Sequence, residues 1–165
     1  MAGGVPASVP AASRDAPRGP AKKILLGTDL SAASSAATEE AFRLARQDGA
    51  ELLVVSVIDP DALRLPGGRF LARVDQVRER RESAARELVE RARAHGLVVS
   101  LLVWVGDPAE SLIDAAMSEG ADLIVLGSHG RGPIGRLFLG SVSRQVLRDA
   151  PVPVVVVPRS EHGSE

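Results

Sequence analysis

The 165-residue chain contains no cysteine and no tyrosine. Without thiols there is no disulfide, no thiolate nucleophile and no cysteine-ligated zinc site. Aromatic residues are scarce: Phe42, Phe70, Trp104 and Phe138 are the whole set. A core therefore has to be assembled from Val, Leu, Ile and Ala. A flat ligand would be gripped by aliphatic walls and backbone groups, since there are few rings to stack on. The three histidines, His95, His129 and His162, are scattered without metal-ligand spacing. An excess of either charge is also missing. The formal net charge is −1, so no overall field would draw in nucleic acid or an anionic membrane. No apolar run reaches the roughly 18 residues that span a bilayer, and residues 1–20 lack the apolar middle of a secretory signal. Together these absences predict a soluble, cytoplasmic protein without nucleic-acid or membrane partners.

What is present fits one domain with a sizeable core, because 45% of the residues are hydrophobic and the length lies in the single-domain range. Residues 1–20 are rich in Ala, Gly, Pro and Ser and have no periodicity, which predicts a disordered tail. Residues 159–165 read as a flexible C-terminal tail, leaving 21–158 as the folded unit.

Within that unit apolar runs alternate with helical patterns. Lys22–Gly27 is a short run closed by Gly, hence a strand. Ser31–Gln47 has helical spacing, with Ser31 as an N-cap and Gly49 as the stop. Glu51–Ile58 is a β-branched strand, and the Pro and Gly residues of Asp59–Gly68 mark a loop. Phe70–Ala94 is a long charged helix with Val74, Val77, Ala84, Leu88 and Ala92 as a sparse stripe, ended by His95-Gly96. Its Arg/Glu run from Arg78 to Arg93 reads as a solvated face with i,i+4 pairs. Leu97–Val105 is a strand. Asp107-Pro108 opens the next helix, Asp as the cap and Pro in the first turn. Ala121–Leu126 is a strand, Leu139–Asp149 a helix and Val152–Val157 a final strand. Strands alternating with helices of this size imply right-handed crossovers and a parallel sheet covered on both faces, and the near-continuous apolar strands agree.

Open parallel sheets bind ligands beyond the carboxyl ends of their strands, where strand order reverses. The richest such segment is Gly127–Ser141, GSHGRGPIGRLFLGS. Its glycines admit close backbone approach and positive φ. About ten residues on, Gly140-Ser141-Val142-Ser143 opens a helix whose free N–H groups and partial positive charge suit an anion. Gly127 and Gly130 by backbone, and Ser141 and Ser143 by hydroxyl and N–H, could pinch a polyphosphate, with charge from Arg131 and Arg136. Ser141 is also placed as the helix cap. Two familiar signatures fail. No Gly-Lys-Ser or Gly-Lys-Thr occurs, so there is no Walker P-loop. The GxGxxG at Gly130–Gly135 is interrupted by Pro133 and lacks the acidic residue ~20 positions later. His129 has no Ser or Asp partner arrangement that would make it a base. Asp29, after the first strand, could contact a ligand or simply set the turn into the following helix.

In this strand–helix order the spacing of Gly127, Gly130 and Gly140, followed by Ser141, resembles the ATP-binding branch of the universal stress protein family, which carries G-x2-G-x9-G-[ST]. The segments ILLGTD, VVSVID, VGDPAESLIDAA, ADLIVLGSHG and PVPVVVVP extend the resemblance over roughly Ala21–Pro158. It implies a single-domain, open, twisted, Rossmann-like sheet of five parallel strands in order 3-2-1-4-5, with helices on both faces and ATP between strands one and four. By the same resemblance Asp29 meets the nucleotide near adenine and ribose, with Gly27 and Thr28 beside it. Val57 lies at the adenine edge through its backbone, and Leu126 gives an apolar wall. Gly127, Gly130, Arg131, Gly140, Ser141, Val142 and Ser143 surround ribose and phosphates, and Mg2+ accompanies the nucleotide. It also implies a homodimer through Val152–Val157, an apolar edge that Pro151 and Pro153 partly restrict. One departure is Gly27, where the family often has Pro, which predicts a looser turn.

Three functions follow in order of expectation. The first is a regulatory protein that retains ATP and signals through dimerisation or partners. The second is a slow ATPase or nucleotide-activating enzyme of the same α/β group. The third is a nucleotide-free interaction dimer, against which the intact glycine motif argues. Efficient phosphoryl transfer needs charge at the γ-phosphate and a positioned nucleophile, and the loop supplies neither a Lys nor a water-orienting base. No catalytic residue is therefore expected.

Overall fold

In the computed structural model, which describes residues 19–64, 69–128 and 139–159, five parallel strands form one sheet in the order β3-β2-β1-β4-β5. They are β1 (Lys23–Gly27), β2 (Glu51–Ile58), β3 (Val99–Val105), β4 (Leu123–Gly127) and β5 (Val154–Val157). Four helices connect them: α1 (Ser35–Asp48), α2 (Phe70–Ala94), α3 (Pro108–Glu119) and α4 (Ser141–Asp149). The expected architecture and strand order are therefore present. Residues 1–18 and 160–165 of the predicted tails lie outside the described residues.

The core forms two layers, one on each side of the sheet. Ile24, Leu26, Leu52, Val54, Leu123 and Val125 pack against α1 and α2 through Ala41, Phe42, Leu88 and Ala92. The alternate residues Leu25, Leu53, Val55, Ile124 and Leu126 pack against α3 and α4 through Leu112, Ala115 and Val146. The three inner strands are apolar on both faces because both faces are covered. Phe42 is the one aromatic ring among the largest fully buried side chains, as the near-absence of aromatics required.

Helix boundaries follow from capping chemistry. α1 and α3 end at Gly49 (φ 66°) and Gly120 (φ 69°), left-handed positions where glycine carries no Cβ penalty. Asp107 caps α3 by accepting from the Glu110 N–H at 2.9 Å. Ser31 does not act as a side-chain cap. It precedes a 3-10 turn, Ala32–Ser34, that leads into α1, and its hydroxyl is turned to Asp29. On α2 the buried residues are Val74, Ala85, Leu88 and Ala92, so Ala85 rather than Ala84 faces the core and Val77 is only half-buried. Among the described residues no helix is long and apolar enough to cross a membrane.

Candidate functional site

Strand register creates the site. Odd-numbered residues of β2 turn their backbone groups towards β1, since Glu51 N–H donates to Lys22 O and Thr28 N–H to Val55 O (2.9 and 3.0 Å). Even-numbered residues face β3, where Ile58 O accepts from Gly106 N–H at 3.0 Å. The next rung towards β1 would be Leu30 N–H to Val57 O. It does not form, because Thr28 Oγ1 takes the Leu30 N–H at 2.9 Å. Leu30 sits at φ 62°, a left-handed conformation that costs a branched residue of the order of 1–2 kcal/mol, and the chain swings away. β1 thus ends short of β2, leaving the Val57 carbonyl pointing into the crevice. Strand order reverses beside β1, where β4 lies on its other side, so this crevice is the place where such sheets bind ligands.

The turn after β1 is tightly organised. Thr28, buried, donates from Oγ1 to Ser34 Oγ at 2.9 Å, and Ser34 Oγ donates to Ser31 O at 2.8 Å. Asp29 is exposed; its Oδ1 accepts from the Ser31 N–H (2.9 Å) and hydroxyl (2.6 Å). The turn-setting reading of Asp29 is thus realised at that oxygen. Gly27 does not loosen this turn. It is a buried strand residue, and a Cβ there would lie 2.4 Å from Leu126 Cδ2 and 2.9 Å from Leu112 Cδ2. Any side chain there would have to push the ends of both leucines aside.

On the other side of the crevice the start of α4 is docked on the end of β4. Ser143, buried, donates its hydroxyl to Gly127 O at 3.1 Å. That bond engages the Ser143 hydroxyl and leaves the residue's N–H as what it can offer a ligand. The N-cap is Gly140 (φ −67°, ψ 169°) and not Ser141, which is the first helical residue. The first intrahelical donor is Arg144, to Gly140 O at 3.0 Å. The N–H groups of Ser141, Val142 and Ser143 precede it and have no helical acceptor. Neither Gly127 nor Gly140 adopts positive φ, so neither serves for a left-handed torsion. Leu126, 4% exposed, packs beside Gly27 at the end of β4. His129, Gly130, Arg131 and Arg136 lie outside the described residues.

One residue of the site was not anticipated. Arg81, read as part of a solvated face, is half-buried, and its Nη1 donates to Val57 O and to the buried Ser56 Oγ. Burial lowers its pKa and the nearby Asp29 charge opposes that shift. The signal lay in a heptad: Arg81 stands midway between Val74 and Leu88, both buried, on the inward stripe of α2. Two turns earlier, the buried Arg73 Nη1 has no hydrogen-bond partner. Of the α2 side chains, Arg81 is the one whose hydrogen bonds reach the Val57 carbonyl. Among the described residues no cluster of three or more His, Asp or Glu could hold a metal ion.

The model of the universal stress protein family matches residues 20–158. A universal stress protein of Thermus aquaticus is 41% identical over 143 residues, covering 82% of this chain and 98% of its own length. One from Mycolicibacterium smegmatis is 37% identical over 151 residues, covering 86% of this chain, which spans 48% of that longer protein. A universal stress protein solved in complex with cAMP superposes with a TM-score of 0.64 at 27% identity, over 86% of this chain and all (100%) of that one.

Proposed function

This chain belongs to the universal stress protein family, and on that premise we propose that it binds and retains ATP at the carboxyl edge of β1 and β4, acting in the cytoplasm as a regulatory protein through dimerisation or partner binding. The observation that carries this reading is the docking of α4 on β4. The Ser143 hydroxyl bond to Gly127 O holds three first-turn N–H groups beside a crevice whose opposite wall carries the Val57 carbonyl. Adenine would lie over Leu126 with its edge at the Val57 backbone, and ribose would lie near Asp29 and Thr28. Phosphates would meet Gly127 and the Gly140–Ser143 turn, with Gly130 and Arg131 joining by the motif's spacing. A relative of this fold solved with cAMP supports a nucleotide in the family. With no carboxylate cluster among the described residues, Mg2+ would arrive on the phosphates and not in a protein cage, and it would supply charge neutralisation there. The outer edge of β5 is the proposed dimer seam.

A thermal-shift titration tests the reading. Ligand at 100 times its Kd adds about 2.7 kcal/mol, and each kcal/mol moves the midpoint of a domain this size by roughly 2–4 °C. Saturating Mg-ATP should therefore raise the midpoint by roughly 5–10 °C. Gly140 is the N-cap of α4 with an extended backbone, so Gly140→Val should still fold, with a ligand-free midpoint lowered by the poorer cap, and lose the shift. No shift in the unsubstituted protein at millimolar Mg-ATP rejects ATP binding. Turnover at several per second that Gly140→Val abolishes would reject retention in favour of an enzyme.

A further inference from the structure

The Val57 carbonyl is the acceptor that the turn at Leu30 leaves unpaired, and Arg81 has taken it. A purine that carries an exocyclic amine at its 6-position needs an acceptor at the base edge, whereas one that carries an oxygen there needs a donor. Arg81 changes what that edge offers. Its guanidinium holds five N–H donors and no acceptor. Its Nη1 is anchored on Val57 O and on Ser56 Oγ at 3.2 Å. The anchor is fixed from below by Ser56, which is fully buried, and from above by the helix that carries Val74 and Leu88 into the core. Arg81 is thus packed in place, unlike a surface arginine free to withdraw. Charge-assisted bonds of this kind are about twice as strong as neutral ones, so an amine that reaches the same oxygen finds one of its two lone pairs already firmly held.

We propose that Arg81 is the specificity-determining residue of the base subsite, setting the balance between 6-amino and 6-oxo purines by occupying the Val57 carbonyl and presenting donors in its place. The proposal rests on the nucleotide reading above and adds to it the residue that decides which purine fits. Adenine binds against Arg81's competition for its acceptor; a 6-oxo purine gains a donor from the same side chain. Burial lowers the Arg81 pKa and the nearby Asp29 charge opposes that shift, while a guanidinium stays charged in either case.

The test compares dissociation constants for Mg-ATP and Mg-ITP, which differ at the 6-position, in the unsubstituted protein and in Arg81→Leu and Arg81→Met. Both variants keep an aliphatic stem against the helix stripe and remove every donor, so one stands in if the other does not fold. The ratio Kd(ITP)/Kd(ATP) should rise about tenfold in either variant, through tighter ATP and weaker ITP together. An unchanged ratio overturns the proposal, and so does an equal weakening of both nucleotides, which would make Arg81 a general anchor for the phosphates. If neither nucleotide binds any of the three proteins, the nucleotide reading itself falls and takes this proposal with it. A ratio that stays level while ATP still binds rejects only the role of Arg81.

Discussion

At Gly27 a methyl group would press on two leucine side chains. A Cβ would stand 2.4 Å from Leu126 Cδ2 and 2.9 Å from Leu112 Cδ2, both on side chains that fill the layer between the sheet and α3. Those leucines can shift, but only by leaving good rotamers or opening a gap elsewhere, and such overpacking costs typically 1–3 kcal/mol. Gly27→Ala should lower the melting midpoint by roughly 2–4 °C for each kcal/mol, and it should weaken nucleotide binding because Leu126 is the proposed floor. A midpoint equal to that of the unsubstituted protein would mean that the wall is looser than its geometry. The same scale explains what the sequence hid. Gly127 and Gly140 were legible as special positions from their spacing, and Gly27 from its place at the end of the first strand. The role of Gly27 was not, since it depends on leucines 85 and 99 positions away along the chain. Arg81 was hidden more deeply. Arg78, Arg80, Arg81 and Arg86 follow one another on a charged helix, and only the early end of β1, set by Thr28 and Leu30, creates a carbonyl for one of them to cover.

At the scale of elements, local signals were most reliable where the cap is made within the segment. Asp107 and Pro108 announced α3, and Asp107 does accept from Glu110 N–H. Asp107→Ala should cost about 1 kcal/mol, the usual loss on removing a helix cap, read as a midpoint drop in thermal unfolding; a drop under half a degree would count against the cap. Signals failed where a partner from elsewhere decides. Ser31 has the chemistry of a cap, yet Asp29 claims its hydroxyl. The β1–β4 pairing has a latch of that second kind. Asp122 Oδ2 accepts from Lys22 N–H (2.8 Å) and Lys23 N–H (3.0 Å), and these backbone bonds hold its carboxyl below the usual range. A depressed pKa stabilises the fold above the ordinary carboxylate value, about pH 4, and that contribution is lost as pH falls through the folded value. Asp122 is almost fully solvated, so the gain is small, within the 0.2–1 kcal/mol measured for exposed charged pairs. The midpoint gap between the unsubstituted protein and Asp122→Ala should be present at pH 7 and close below pH 4. A gap that persists unchanged at pH 2.5 would show that the carboxylate charge is not what matters.

For the whole molecule, the sheet has two edges, and they differ. β3 is buttressed by α2 and ends in the exposed Val105. β5 is four consecutive valines, every one only half-buried. An apolar edge of this kind is a template for pairing unless something covers it. Its register tells which groups are available. Ile124 N–H donates to Pro153 O and Ser128 N–H to Val157 O, so odd-numbered residues face β4 and the N–H groups of Val154 and Val156 face outward. Pro153 therefore sits on the inward side, contributing its carbonyl to β4 while lacking only an N–H, and it leaves the outward row intact. A second copy could pair along that row and bury the valines on both sides. This gives a test that separates pairing from stability. Proline is tolerated on an edge strand where its N–H would face solvent, so Val156→Pro removes an outward donor without touching the β4 ladder. If the protein is a dimer through β5, Val156→Pro should run as a monomer in light scattering while keeping its parallel-sheet circular dichroism. Val105→Pro, at the end of the opposite edge, should leave the dimer intact. A dimer that survives Val156→Pro and dissociates with Val105→Pro would move the seam to β3, and a protein that is monomeric from the start would leave the β5 valines to some other partner.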